Sequence, residues 1–199
     1  MIRSLAMVLA GVLVLFTFGS AHACLLLNNG TNLVYDTVRN ITWYSPSFTN
    51  MSWSEAMSWA ENLTIGGATD WRLPTALDQK GNYPLYEYNV VGSELGHLYY
   101  ESLGNVAYGP LANTDLFDNL QPVNYWSSTT TSSFAGNAFV FNFANGRQGH
   151  ADKNLITGFS ALAVHSGYVH APIPGAIFLF APGLAGLALL RRKFRGKNA

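Results

Sequence analysis

The sequence has 199 residues but only one cysteine, Cys24. A single thiol cannot form an intrachain disulfide, so a disulfide framework is excluded. Stability must therefore come from a hydrophobic core. Aromatic residues make up 14% of the sequence, which is enough to supply one, and all five tryptophans lie between Trp43 and Trp126.

Charged residues are also scarce, at 11% of the sequence, and they are unevenly placed. All 11 acidic residues lie within residues 24–169, whereas only five of the 11 basic residues lie there. The central part of the chain therefore carries a net charge of −6. Because an acidic domain repels phosphate backbones, we expect no nucleic acid partner.

Motifs for catalysis and metal binding are missing. The sequence contains no G-x-S-x-G elbow and no phosphate-binding glycine loop. Asp115 and Asp118 could form a catalytic pair, but a turn or helix-start role is the favoured interpretation. We therefore predict no enzyme activity, no cofactor and no metal. Four histidines after residue 24 lack metal-ligand spacing: His97, His150, His165 and His170.

The N-terminal segment has the three parts of a secretory signal peptide. Arg3 precedes an apolar run from Leu5 to Phe18, and small residues follow at Ala21 and Ala23. This pattern predicts that signal peptidase removes residues 1–23. Cys24 then becomes the first mature residue, and its lipidation stays open as an alternative.

The C-terminal segment is also apolar, and it ends in basic residues. Residues 173–190 carry no charge, which is close to the length that crosses a bilayer. Arg191 and Arg192 follow directly, so we expect the C-terminus inside and the domain outside. The alternative is a buried apolar helix.

This tail, residues 170–199, resembles the PEP-CTERM class of sorting signals. The resemblance rests on Pro172 and Pro174, the apolar stretch and the arginine-rich end with Arg191 and Arg192. It implies cleavage by an exosortase-type enzyme in a Gram-negative host that makes extracellular polysaccharide. The protein would be anchored transiently in the inner membrane and would end on the outer surface or outside the cell.

The first half of the remaining domain, residues 24–169, predicts strands and then a helix. Short β-rich segments indicate strands at Leu33–Tyr35 and Ile41–Trp43. Ser52 and Glu55 form a capping-box pair that starts a helix, and Gly66-Gly67 ends it. Five apolar residues at helical spacing define its buried face: Trp53, Ala56, Met57, Ala60 and Leu63.

The second half predicts one more helix and further strands. Ser93 is the expected N-cap of the helix, and Gln79–Val91 is expected to be a surface loop. Strands are predicted at Tyr125-Trp126 and at Ala161–His165. A further strand between them is expected to end in a two-residue hairpin turn at Asn145-Gly146. This order predicts an α+β fold, with two helices packed on a mostly antiparallel sheet. Alternation predicts one aromatic strand face: Phe139, Phe141 and Phe143.

Two motifs carry a resemblance across this domain. They are Asp70-Trp71-Arg72-Leu73-Pro74-Thr75 and Tyr125-Trp126-Ser127-Ser128-Thr129. With the preceding elements, they resemble the Lcl C-terminal domain family, named for a bacterial collagen-like adhesin. The resemblance implies a C-type-lectin-like fold with a long-loop region. Residues 121–124 lack the carboxylates that calcium requires, so we predict no lectin-type calcium site.

Trp126, Ser127, Ser128 and Asn124 are the predicted ligand-binding residues. A tryptophan face with nearby hydroxyls suits sugar stacking and hydrogen bonding, although a core role for Trp126 is an open alternative. A second, basic patch is predicted from two residues: Arg147 and Lys153.

We expect a surface or secreted module that binds carbohydrate or matrix polysaccharide. The alternatives are a structural envelope or biofilm-matrix protein that binds other proteins and, less favoured, an extracellular glycan hydrolase. Asp70 and Arg72 are expected to make structural contacts rather than a site.

Overall fold

The computed structural model describes residues 26–28, 32–45, 50–78 and 86–170. The signal segment and nearly all of the predicted sorting tail lie outside the described residues. None of the helices in these ranges is long and apolar enough to cross a membrane. Six predicted processing residues also lie outside them: Ala23, Cys24, Pro172, Pro174, Arg191 and Arg192.

The described chain forms an α+β fold with two four-stranded sheets, so strands and helices follow the predicted order. The strands are β1 (Leu26–Asn28), β2 (Leu33–Asp36), β3 (Ile41–Tyr44), β4 (Asn124–Thr130), β5 (Asn137–Asn142), β6 (Arg147–Asp152), β7 (Phe159–Ser160) and β8 (Ala163–Ser166). The helices are α1 (Trp53–Glu61) and α2 (Glu94–His97). A π-helical turn, Leu98–Ser102, continues α2.

The first sheet has the order β1-β2-β3-β8 and is antiparallel throughout. The second has the order β6-β5-β4-β7, and only its β4–β7 pair is parallel. The predicted mostly antiparallel pairing is therefore confirmed, but the strands form two sheets and not one. Sequence neighbours do form hairpins, but β8 pairs with β3, more than a hundred residues earlier, so the strands divide between two sheets.

Helix α1 begins as predicted. The Ser52 hydroxyl accepts a hydrogen bond from the Glu55 amide at 3.4 Å, and the Ser52 amide donates to the Glu55 carboxylate at 2.8 Å. The helix ends at Glu61, before the glycine pair predicted to stop it. Gly66-Gly67 instead forms the turn between Ile65 and Ala68, with both glycines at positive φ.

Helix α2 starts at the predicted cap, where Ser93 accepts from the Gly96 amide at 3.1 Å. Its first residue, Glu94, receives two hydrogen bonds from the Arg72 guanidinium, at 2.7 and 2.8 Å. The Thr75 amide also donates to Glu94, at 2.7 Å. Arg72 therefore has a structural role, as expected, and its ionic partner is Glu94.

The hairpin between β5 and β6 is longer than predicted. The ladder closes at the pair Asn142 and Arg147, which leaves a four-residue loop from Phe143 to Gly146. Because Phe143 is buried in the core, it leaves the ladder and extends the loop. Gly146 adopts a φ of +83°, which glycine tolerates without a Cβ penalty.

Two hydrophobic clusters use opposite faces of the same strands. Tyr125 and Phe141 join the cluster beneath α2, whereas Trp126 and Val140 join the cluster beneath α1. Since neighbouring strand residues point to opposite faces, both faces of the second sheet are buried here. The predicted aromatic face, Phe139, Phe141 and Phe143, is therefore only one of the two buried faces at this strand.

Candidate functional site

Trp126, the predicted centre of the site, lies in the core. Its side chain is 0% exposed, and it stacks on Phe159 with ring centroids 4.6 Å apart. Its indole nitrogen donates to the Met51 carbonyl at 2.8 Å. A buried ring offers no face to a ligand, so the expectation of sugar stacking at Trp126 is corrected to a core role.

Ser127 and Ser128 are also used internally. Ser127 is buried, and its carbonyl accepts from the Trp53 indole at 2.9 Å. The Ser128 amide and hydroxyl both donate to the Pro74 carbonyl, at 2.8 and 3.3 Å. The two motifs behind the family resemblance thus lie against each other through Ser128, and Ser127 ties the second motif to α1.

Asn124 and Arg147 do lie at an open surface. Strand register places Asn124 beside Asn142, and Asn142 beside Arg147, on one face of the second sheet. They line a cavity of about 170 Å³, which we call the amide groove. One ladder step further along the same face, Trp126 and Val140 are buried in the α1 cluster. The amide groove begins where the α1 cluster no longer covers this face of the sheet.

Lys153 does not join this surface. It follows Arg147 by six residues, about 20 Å along a strand. Its ammonium lies 4.6 Å from the centre of the Trp53 ring and donates to the Ala135 carbonyl at 3.3 Å. The predicted basic patch of Arg147 and Lys153 is therefore two separate positions.

Tyr86 forms the outer wall of the amide groove and is 51% exposed. The Arg147 guanidinium lies 4.9 Å from its ring centre, a cation–π distance. A Cβ built on Gly149 would lie 3.2 Å from the ring, so the absence of a side chain there allows this close packing. A hydrogen bond of 3.0 Å from the Gln148 amide to the Glu87 carbonyl holds this segment against β6.

A second cavity of about 210 Å³ adjoins the first, and we call it the hydroxyl groove. His150 lines both grooves, with its ring centroid 5.0 Å from that of Tyr86 and 5.2 Å from that of Phe134. Phe134 is 57% exposed. The remaining lining residues are Thr130, Thr131, Ser132, Ser133 and Phe139.

The sequence did not point to Tyr86, Phe134 or His150. Tyr86 was assigned to an undifferentiated surface loop, and His150 was expected to be an ordinary histidine. A signal existed in the short polar run before Phe134, because a large ring among serines and threonines has little chance of burial. No local pattern could show that two distant segments meet at β6.

The described residues hold one enclosed group of ionisable side chains away from the grooves. Asp36 is buried and accepts from the Arg39 amide and the Ser102 hydroxyl, at 2.8 and 3.2 Å. His97 Nε2 lies 3.6 Å from the Asp36 carboxylate. Burial, followed by the charge of Arg39, lowers the pKa of His97 below its ordinary value, against the opposing effect of Asp36. The contacts of this group join β2 to α2 and to the π-helical turn.

The described part of the chain contains no cluster of three or more His, Cys, Asp or Glu side chains that could hold a metal ion. Asp115 and Asp118 are both exposed, and Asp115 has a positive φ, which fits the expected turn role.

A family model, the Lcl C-terminal domain, matches residues 32–164. The chain belongs to this family. The matched range runs from the start of β2 into β8 and includes every residue that lines the two grooves. A comparison with curated proteins gave no match. The predicted family resemblance is thus confirmed for the Lcl C-terminal domain, and the two motif segments that carried it are packed structural elements in this chain.

Proposed function

We propose that this protein is an exported, non-enzymatic module that binds extracellular carbohydrate through the amide and hydroxyl grooves. The observation that carries the proposal is their meeting at His150. There, exposed rings of Tyr86 and Phe134 stand beside amide and hydroxyl side chains. Aromatic faces stack on the apolar faces of sugars, and polar groups bind their hydroxyls.

Export and surface location are part of this proposal. They rest on the signal-like residues 1–23 and on the PEP-CTERM-like tail at 170–199. The C-type-lectin-like arrangement is likewise proposed from the family resemblance. In this account signal peptidase and an exosortase-type enzyme process the chain, and the tail contacts the membrane only in transit.

The charge of the grooves favours a ligand that is not strongly anionic. Of the basic residues in the described ranges, Arg39 donates to the Val91 and Gly92 carbonyls and Arg72 pairs with Glu94. Lys153 covers Trp53, which leaves Arg147 as the cation at the grooves. A single guanidinium can orient a sugar but supplies little attraction for a polyanion.

A structural matrix protein that recognises other proteins is the second candidate. Exposed rings such as Tyr86 and Phe134 also suit protein contacts. A glycan hydrolase is less favoured, because it needs two facing carboxylates and no Asp or Glu lines the two described grooves.

The test is a glycan-array screen of the full chain, with and without calcium, in a detergent that has no sugar headgroup. Such a detergent keeps the tail soluble without competing for the grooves. We expect calcium-independent binding that Tyr86→Ala abolishes. The matched control is Tyr168→Ala, another exposed tyrosine, which packs on Tyr35 of the first sheet.

Binding in wild type and control, with loss in Tyr86→Ala, supports the carbohydrate proposal. A blank array with the wild-type chain contradicts it and leaves the matrix-protein candidate in first place.

A further inference from the structure

Tyr108 combines backbone strain with exposure. Its φ is +61°, a region that bulky residues rarely adopt, yet its side chain is 75% exposed. Strain of this kind persists only where the surroundings impose it, and it is often associated with function. Burial of the ring cannot be the compensation here. The position therefore displays a large aromatic face to solvent at an energetic cost.

The loop that carries Tyr108 is well anchored. The Tyr108 amide donates to the Asn145 carbonyl at 2.9 Å. The Tyr99 hydroxyl donates to the Gly109 carbonyl at 3.1 Å, and Tyr99 itself is fully buried. The ring lies on that of Tyr88, with centroids 3.9 Å apart and planes inclined by 30°. Tyr88 and Tyr108, the tyrosine pair, thus form a fixed platform whose outer face is open.

The tyrosine pair lies at the Arg147 end of the amide groove. Asn145, which holds Tyr108, is two residues before Arg147, and Tyr88 is two residues after Tyr86. Phe134 lies at the other end, beyond His150. Exposed and half-buried aromatic rings therefore follow the length of β6, about 20 Å for six residues. Their order along the strand is Phe134, His150, Tyr86 and the tyrosine pair.

We propose that the ligand is a neutral chain of β-linked hexopyranoses that lies along β6 and is bound by its internal units. This inference rests on the proposed function and specifies its ligand. Equatorial hydroxyls leave both faces of a β-glucopyranose ring apolar, and the axial 2-hydroxyl of mannose leaves one face apolar, so a flat chain of either sugar can stack on successive rings. Its hydroxyl edges meet the amides of Asn124 and Asn142 and the hydroxyls of residues 130–133.

Two features favour a chain over a single terminal sugar. The two grooves lie on opposite faces of the second sheet and meet at His150 on its β6 edge, so a polymer that follows this edge passes both. The tyrosine pair stands beyond the amide groove, where only a longer ligand reaches it. The net charge of −6 in the central part of the chain argues against polyanionic chains.

The experiment is calorimetric titration of the full chain, in the same detergent, with cello-oligosaccharides and β-linked manno-oligosaccharides. Each series is compared as disaccharide and hexasaccharide. We expect the hexasaccharide of at least one series to bind about tenfold more tightly, the gain from stacking on an additional platform. Tyr108→Ala should remove most of that gain and leave disaccharide affinity unchanged.

Three variants complete the design. Tyr108→Gly also lacks the ring but relieves the strained φ, so it gives the same readout if Tyr108→Ala folds poorly. Tyr86→Ala should lose both oligosaccharides, and Tyr168→Ala should lose neither.

Equal affinity for disaccharide and hexasaccharide, unchanged by Tyr108→Ala, overturns this inference and leaves the proposed function standing. Array binding confined to sulfated or uronic-acid chains, with no binding in either titration series, also overturns this inference and leaves the proposed function standing. A blank array overturns the proposed function and this inference together.

Discussion

The aromatic residues of this protein divide into two populations with opposite surroundings. Trp126 and Trp71 are enclosed beneath α1, where each indole nitrogen donates to a backbone carbonyl. Tyr86, Phe134 and Tyr108 lie in the open near β6. The buried population belongs to the two motifs that carry the family resemblance, whereas the exposed population belongs to loops outside them.

This contrast separates fold from function. An aromatic residue in a recognisable motif is conspicuous in the sequence, and in this chain such residues build the core. The rings available to a ligand come from loop segments that β6 brings together. The following predictions test whether the two populations behave as differently as their surroundings indicate.

Trp126→Ala gives the largest expected effect. Removing a fully buried indole leaves a cavity, so we expect the free energy of unfolding to fall by about 3–5 kcal/mol. Urea denaturation measures this change. Tyr86→Ala is the matched exposed substitution, with an expected loss within about 0.5 kcal/mol. Similar losses for both variants would show that the division into two populations is mistaken.

The basic residues offer the same comparison. Hydrogen bonds to Glu94 raise the pKa of Arg72, so the guanidinium stays ionised. Arg72→Gln should cost about 2 kcal/mol, less than the 3–5 kcal/mol of a fully buried pair because 39% of the Arg72 side chain is exposed. Arg147→Gln, at the groove, should change unfolding by less than about 0.5 kcal/mol. The comparison fails if urea denaturation finds the larger loss at Arg147.

Strain at Tyr108 predicts an unusual order of stabilities. Tyr108→Gly and Tyr108→Ala both lose the ring contact with Tyr88, but only glycine adopts a φ of +61° at no cost. We therefore expect the glycine variant to be the more stable of the two by about 1 kcal/mol. Thermal and urea unfolding of the pair measure this difference. A more stable alanine variant would mean that this backbone is not strained.

The pH dependence of stability tests the enclosed group. Burial and Arg39 lower the pKa of His97, against Asp36 and Glu101, so the unfolded chain binds more protons in the window just below pH ~6.5. The free energy of unfolding should fall as pH falls through that window. His97→Gln should flatten this dependence, and exposed His170→Gln should not. Identical slopes in urea denaturation of both variants would exclude His97 as the source.

Much of the fold could be read from local patterns. Ser52 and Glu55 fixed the start of α1, Ser93 fixed the start of α2, and the first strand pair lies where it was predicted. These elements depend on neighbours within a few residues. The pairing of β8 with β3 joins residues more than a hundred positions apart, and no local pattern contains that information.

The candidate site was predicted only in part. Asn124 and Arg147 line the amide groove as expected. Both are polar strand residues at the place where the α1 cluster no longer covers the sheet. Trp126 failed as a ligand residue because β4 is buried on both faces at this point and the indole donates internally, to the Met51 carbonyl. Tyr86 was missed because its position depends on Glu87 pairing with Gln148 across the domain.

The central claim is that the exposed rings at β6, rather than the buried motif residues, bind carbohydrate. Its most direct test is the affinity of the Tyr86→Ala and Tyr168→Ala chains for the strongest neutral glycan on the array. We predict that Tyr86→Ala loses binding while its unfolding stays like that of wild type, and that Tyr168→Ala binds normally. Undiminished binding by a folded Tyr86→Ala chain would contradict the claim.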